Sequence, residues 1–473
     1  MRLSLILGVI VSIFCFSANA RETEDGGKYL LDSLPQRWEY YPSTDGKIIS
    51  VDDKWWRNFE DDLLDSLVEM GLRANYDIRN AYRNLQIAHN TFKSARSAYF
   101  PTLSASLGWE KERISGVTQS RKGSAVNSSF WTGEAGLSWQ IDLFGKITSQ
   151  VNSKKSLWQA SQAEWAGMML SVAGEIVNEY ISLRIAQAQL ELLKQHAESQ
   201  LTIVKMTEAR KEAGVSSMLD VSQAKTVYYS TLASVPVYEN TINTCINALA
   251  VLLAVYPDQL PHELKNMGDR LPAWQQMIST GIPMDLLRRR PDIVEAEKTV
   301  ASYAAQLGLA KKDFLPTLTL DGTISTSAMH MGDLFTGPSF GYSIIPTLSW
   351  NFYTGGETTY EIRIARENLQ SEIDTYNLTV ATAVEETNNA LSGYFTALKH
   401  IELIDDVVTW AQKSLTLSVD LYKDGLSSFT NVVDAQETLL EYETEAVTAR
   451  SDALSSLVQI YTALGGGWDA SNL

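Results

Sequence analysis

Residue types that could do chemistry are present in this chain, but they do not gather. The five histidines (His89, His196, His262, His330, His400) lie far apart, and no two stand at metal-ligand spacing. No Gly-x-Ser-x-Gly elbow and no phosphate loop occurs. Gly465-Gly466-Gly467 is glycine-rich, but it follows a helical stretch where a phosphate cradle would precede one, so it reads as a helix stop. Arg288-Arg289-Arg290 could hold an anion; the alternative is a solvated or ion-paired run before a helix starting at Pro291. With Cys15 in the leader, Cys245 is the only thiol of the mature chain, so no intrachain disulfide is expected. The chain offers no candidate catalytic centre, cofactor site or metal site, and it is not expected to be an enzyme.

If side chains do not carry the function by chemistry, they carry it by position, and the elements decide that position. Residues 1–20 read as a secretory leader: Arg2, an apolar run from Leu3 to Phe16, then the cleavage pattern Ala18-Asn19-Ala20. Cys15 is the alternative, as a lipoprotein cysteine, but Ser12-Ile13-Phe14 lacks the usual small residue before it. No later stretch reaches about 18 apolar residues, so no transmembrane helix is expected. The formal charge of -17 argues against nucleic acid or anionic lipid as partners.

The mature chain is a duplication. Phe100-Pro101-Thr102-Leu103 recurs as Leu315-Pro316-Thr317-Leu318, Leu137-Ser138-Trp139 as Leu348-Ser349-Trp350, and Gly214-Val215-Ser216-Ser217 as Gly425-Leu426-Ser427-Ser428, at offsets of 211 to 215 residues. Each copy reads helix, strand, strand, long helix, turn, helix. The first helix is expected from Glu60 to Ala98, its counterpart from Met284 to Lys312. The long helices are expected over Ile147–Lys211 and Thr358–Tyr422, each about 95 Å long. Their return helices are Met218–Leu253, with a kink expected at Pro236, and Phe429–Leu464. The organisation is therefore a leader (1–20), an N-terminal periplasmic segment (21–59), a first repeat (60–255), a linker or equatorial region (256–283), a second repeat (284–465) and a tail (466–473).

The strands alternate. Leu103, Ala105, Leu107 and Trp109 oppose Ser104, Ser106, Gly108 and Glu110. Trp131, Ala135, Leu137, Trp139 and Ile141 oppose Thr132, Glu134, Ser138, Gln140 and Asp142. In the second copy Leu318, Leu320 and Ile324 oppose Thr319, Asp321 and Thr323, and Phe340, Tyr342, Ile344, Leu348 and Trp350 oppose Gly341, Ser343, Thr347 and Ser349. A soluble sandwich with one buried face also alternates. Aromatics at the segment ends (Trp109, Trp131, Trp139, Phe340, Trp350), the leader and the lack of a partner sheet favour a membrane barrel. Four strands cannot close one, because no strand edge stays unpaired in lipid, so the chain must oligomerise. The polar face, with Ser104, Ser106, Glu110, Glu134, Asp142 and Asp321, suits a wet lumen.

Four segments resemble the outer membrane factor, or TolC-like, export channels, in the branch that serves efflux pumps. They are Trp55-Trp56-Arg57-Asn58-Phe59 with Leu63 through Ile78, Leu286 through Ile293 with Phe314-Leu315-Pro316, Trp139 through Gly145, and Tyr461 through Trp468. The resemblance spans nearly the whole mature chain. It implies an α+β membrane protein: a homotrimer whose protomers each give four strands to a twelve-stranded outer-membrane barrel, continued by long α-helices of a periplasmic coiled-coil tunnel. It implies a passive exit channel for drugs or small molecules, with a periplasmic membrane-fusion adaptor and an inner-membrane transporter, of the resistance–nodulation–division type, as partners. An exit duct for secreted proteins and a non-transporting envelope coiled coil are the alternatives. The resemblance also places the closure at the helical tips. It offers Asp420 and Lys423, with Asp424 beside them, as gate residues, and the turns Gly214, Ser216, Ser217, Gly425, Ser427 and Ser428 as the adaptor contact. The four serines are N-cap candidates for the return helices.

Overall fold

The computed structural model describes residues 54–115, 126–265, 271–272, 287 and 289–466. The expected leader with Cys15, the segment to residue 53, Arg288, and Gly467 with Trp468 lie outside the described residues, as does most of the linker. In chain order the elements are α1 (Asp62–Ala74), α2 (Tyr76–Arg96), β1 (Thr102–Ile114), β2 (Val126–Ile141), α3 (Lys146–Glu212), α4 (Met218–Leu252), α5 (Pro291–Lys312), β3 (Thr317–Ala328), β4 (Phe340–Ser349), α6 (Glu357–Lys423) and α7 (Phe429–Ala463).

The long helices α3 and α6 have 67 residues each, about 100 Å of rise. No helix this long buries itself. α3 packs against α2, α4, α5 and α7 in turn, and α6 against α5 and α7. The core runs along these contacts, with Tyr180 of α3 and Tyr394 of α6 fully buried. Return helix α4 continues through Pro236 without interruption.

The sequence pattern predicts one helix over Glu60–Ala98; the structure breaks it at Asn75. That residue has an extended backbone (φ −53°, ψ 137°). Its Oδ1 accepts from the Asp77 and Ile78 amides at 2.8 and 3.2 Å, while its Nδ2 donates to the Leu252 carbonyl at 2.9 Å. One buried amide thus satisfies the start of α2 and the end of α4 together, which offsets the lost helical turn.

The segments at the two ends of the resemblance meet in space. Residues 55–59 form a 3₁₀ turn whose Trp55, Trp56 and Phe59 are buried. Trp55 stacks on Tyr461 with ring centroids 5.1 Å apart, and Asn58 Nδ2 donates to the Tyr461 hydroxyl at 2.9 Å. Arg290, the last of the arginine run, is ion-paired. It is buried, donates to the Ala463 carbonyl at 2.8 Å, and pairs with Asp292 and Glu386, each at 2.7 Å. Burial alone would disfavour its charge, but the two carboxylates outweigh it and hold the guanidinium ionised.

The four strands form one antiparallel sheet in the order β1-β2-β3-β4, so β1 and β4 are free edges. Ser106 faces Glu134, Ser138 faces Asp321, and Thr323 faces Ser343; Leu103 faces Leu137, and Leu318 faces Leu348. Pairing partners share a face. The register therefore collects the polar positions on one side and the apolar ones on the other, with Phe130, opposite Glu110, and Ile345, opposite Asp321, as polar-side exceptions. Among the described residues nothing covers the apolar side: Leu103 is 78% exposed, Tyr342 85% and Leu348 62%. A sheet with a bare apolar face and two open edges requires both lipid and neighbouring chains. Asp142 is a correction to the lumen set. It lies just beyond β2, where its carboxylate accepts from the amides of Ile147 and Thr148, both at 2.9 Å, and so starts α3.

Candidate functional site at the helical tips

The tips are built from two matched turns. Gly214 and Gly425 take positive φ (74° and 73°), which a side chain rarely tolerates. The amides of Val215 and Leu426 reach back to the carbonyls of Arg210 and Leu421 at 3.0 and 2.8 Å, closing each long helix in the same six-residue fashion. The return helices then start differently. Ser217 caps α4 by accepting from the Asp220 amide at 3.2 Å, whereas Ser428 makes no side-chain capping bond and Ser427 instead accepts from Asn431 Nδ2 at 2.8 Å.

The structure joins residues of both copies at the tips, and among them Tyr422, Asp220 and Arg210 were not singled out by the sequence. The Tyr422 hydroxyl of α6 lies 2.9 Å from Ser216 Oγ and donates to Asp220 Oδ2 at 3.0 Å. Arg210 of α3 donates to the Lys423 carbonyl at 2.7 Å, and its guanidinium sits 4.9 Å above the Tyr422 ring. Ser216 and Ser217 also donate to Asp220, each at 2.7 Å. Burial pushes the Asp220 carboxyl up, but the hydroxyl bonds from Ser216, Ser217 and Tyr422 outweigh it and hold the group below the usual carboxylate range. Beneath this cluster Tyr422 meets Phe429 edge to face, over Ile203, Val204, Ala224 and Val432. The two hairpins are thereby fastened to each other at their tips.

Asp420, Lys423 and Asp424 lie beside this cluster. Lys423 Nζ is 3.2 Å from Asp420 Oδ1 within the same helix, both side chains are more than half exposed, and Asp424 is exposed as well. A sequence signal for the missed residues does exist. Position 422 is Tyr where its counterpart 211 is Lys, and Asp220 corresponds to Asn431, so the copies diverge at the residues that meet.

At the other end of the molecule, aromatics mark two levels of the sheet. Trp109 and Trp131 pair across β1 and β2 with ring centroids 6.5 Å apart, at the end away from the helices, where Phe340 also lies exposed. At the helical end, Trp139 and Trp350 donate their indole N–H to the carbonyls of Tyr99 and Phe314 at 3.0 and 2.9 Å. Trp131 and Trp139 stand eight positions apart on β2, about 27 Å along the strand, and a tilted strand of about nine to eleven residues crosses a bilayer.

The sequence profile described as "Outer membrane efflux protein" matches residues 67–255 and 282–466. A protein called "Probable efflux pump outer membrane protein TtgC", from Pseudomonas putida, is 26% identical over 436 residues, covering 92% of this chain and 89% of the relative. The "Solvent efflux pump outer membrane protein SrpC" of the same species is 27% identical, covering 87% of each. Among solved structures, the outer-membrane channel OprN superposes with a TM-score of 0.84 at 27% identity, over 90% of this chain and 98% of that one. The duplicated strand pairs, the paired long helices and these matches agree: the chain belongs to the outer membrane efflux protein family and is an outer-membrane channel.

Proposed function

We propose that the protein is the exit duct of a tripartite efflux pump, held shut at its periplasmic tips by the contacts between the two hairpins. The supporting observation is the cluster in which Tyr422 and Lys423 of one hairpin bind Ser216, Asp220 and Arg210 of the other. A duct open at rest would leak, so the resting tips are closed and a partner must release them. A membrane-fusion adaptor docking on the turns at Gly214–Ser217 and Gly425–Ser428 competes with these contacts, and an inner-membrane transporter of the resistance–nodulation–division type supplies cargo. In the trimer Asp420 and Lys423 recur three times about the axis, so three carboxylates ring the aperture. Each hydrogen bond between the hairpins contributes about 0.5–1.5 kcal/mol. Repeated threefold, these make a closed-state bias of a few kcal/mol, within reach of an adaptor's binding energy.

Co-purification tests the assembly: the native channel should bring down an adaptor and a proton-driven transporter. Recovery with an ATP-driven protein exporter instead would move the reading to protein secretion. Cells carrying Asp420→Ala/Lys423→Ala should become sensitive to vancomycin, which is too large for ordinary porins, while keeping the trimer. Unchanged sensitivity would leave these two as surface charges.

A further inference from the structure

The formal charge of -17 argues against anionic lipid as a partner only if the charge is evenly spread, and it is not. Trp139 and Trp350 mark the helical rim of the sheet, and Phe100, Phe352 and Tyr353 are exposed beside them. Directly below this rim α2 and α5 end and α3 begins. Two acids stand there, and both are engaged: Asp313 with Lys146, and Asp142 in starting α3. Lys93, Arg96, Lys154, Lys155 and Lys311 stand there too, and none has an acidic partner among the described residues. The start of α6 occupies the matching place in the second copy, and there Arg363 and Arg366 are balanced by Glu357, Glu361 and Glu367. The two copies share one plan, so the fold does not demand the unbalanced Lys154 and Lys155 at the start of α3.

We propose that this cationic rim binds the phosphodiester headgroups of anionic phospholipids in the periplasmic leaflet of the outer membrane. Arg96 and Lys311 lie six residues before the first residue of β1 and β3 respectively, roughly 10 Å from the rim, and Lys154 and Lys155 roughly 14 Å into α3. The headgroup layer is about 5–8 Å deep on each side, and long basic side chains extend toward it along apolar surface. Arg96 already lies over the Phe92 ring, 5.7 Å from its centroid. The cations are distributed over three helix ends instead of converging on one point. That suits a two-dimensional array of phosphodiesters and not a single free phosphate. Each cation near an anionic surface strengthens the attraction about fivefold.

The test is thermal unfolding of the purified full-length trimer in neutral detergent with added phosphatidylglycerol, phosphatidylethanolamine or inorganic phosphate. Phosphatidylglycerol should raise Tm by several degrees over phosphatidylethanolamine, and 0.5 M salt should erase about all of that difference. Inorganic phosphate should do little. Equal shifts with the two lipids, or with inorganic phosphate, would overturn the proposal without any variant. Lys93→Gln/Arg96→Gln/Lys155→Gln/Lys311→Gln should lose most of the phosphatidylglycerol shift and keep wild-type conductance. If the variant kept the shift and changed conductance, these cations would line the bore, and the proposal would fall.

Discussion

At the tips, the two copies of the hairpin have diverged at the residues that meet. Tyr422 and Asp220 differ from their counterparts Lys211 and Asn431, and both side chains take part in joining the hairpins. Elsewhere a single residue sets a pH dependence. Glu295 of α5 is partly buried, and burial together with Glu164 and Asp292 pushes its carboxyl up to about 7 from an ordinary 4.5. Between those values the folded chain binds more protons than the unfolded one, so stability falls as pH rises through the window. Glu295→Gln should therefore match the wild-type Tm near pH 5 and exceed it at pH 8, as read by thermal unfolding of the trimer at both values. Equal Tm differences at the two pH values would contradict the assigned environment. At this scale the sequence was least legible. The charges near Gly425 stood out because they were charges, whereas Tyr422 looked like one more apolar helix position. Its partners Ser216 and Asp220 lie 206 and 202 residues away, a distance that no local pattern carries.

Elements were more legible, because period-2 alternation and the Gly-x-Ser-Ser turns are local signals. The structure places the long helices at Lys146–Glu212 and Glu357–Lys423, within a residue of the pattern at each end. Asn75 broke an expected helix because its partner, the Leu252 carbonyl, belongs to a distant helix end. The strand faces make a direct prediction. Leu107→Arg or Leu348→Arg, on the apolar side, should cost about 2–4 kcal/mol near the bilayer midplane, while Ser106→Arg or Ser349→Arg should leave folding intact and change conductance. Equal losses of folded trimer from both sets would reverse or void the face assignment. In the helices, α3 gives no residue to either main core cluster between Ile185 and Ile203. That interval holds His196, bonded to Glu443 of α7, and Gln200, 2% exposed with neither amide atom bonded to the protein. Replacing an unsatisfied buried amide by an apolar group of similar shape relieves its desolvation. Gln200→Leu should raise stability by about 1–2 kcal/mol in denaturant unfolding; a loss would mean that the amide is satisfied in the assembled channel.

The whole molecule follows from what one protomer leaves unfinished. Among the described residues its sheet has two open edges and an uncovered apolar face. Three protomers give twelve strands, enough for an open bore. In mild detergent the protein should run as a heat-sensitive trimer, checked by cross-linking or native mass measurement; a stable membrane-inserted monomer would refute the architecture. Single-channel recording of the purified trimer in a planar bilayer tests the central claim most directly, comparing wild type with Asp220→Ala/Tyr422→Phe. The wild type should conduct weakly, because the tips hold the tunnel shut, and the variant, still trimeric, should conduct several times more. Equal conductance in the two would contradict a duct closed by contacts between its hairpins.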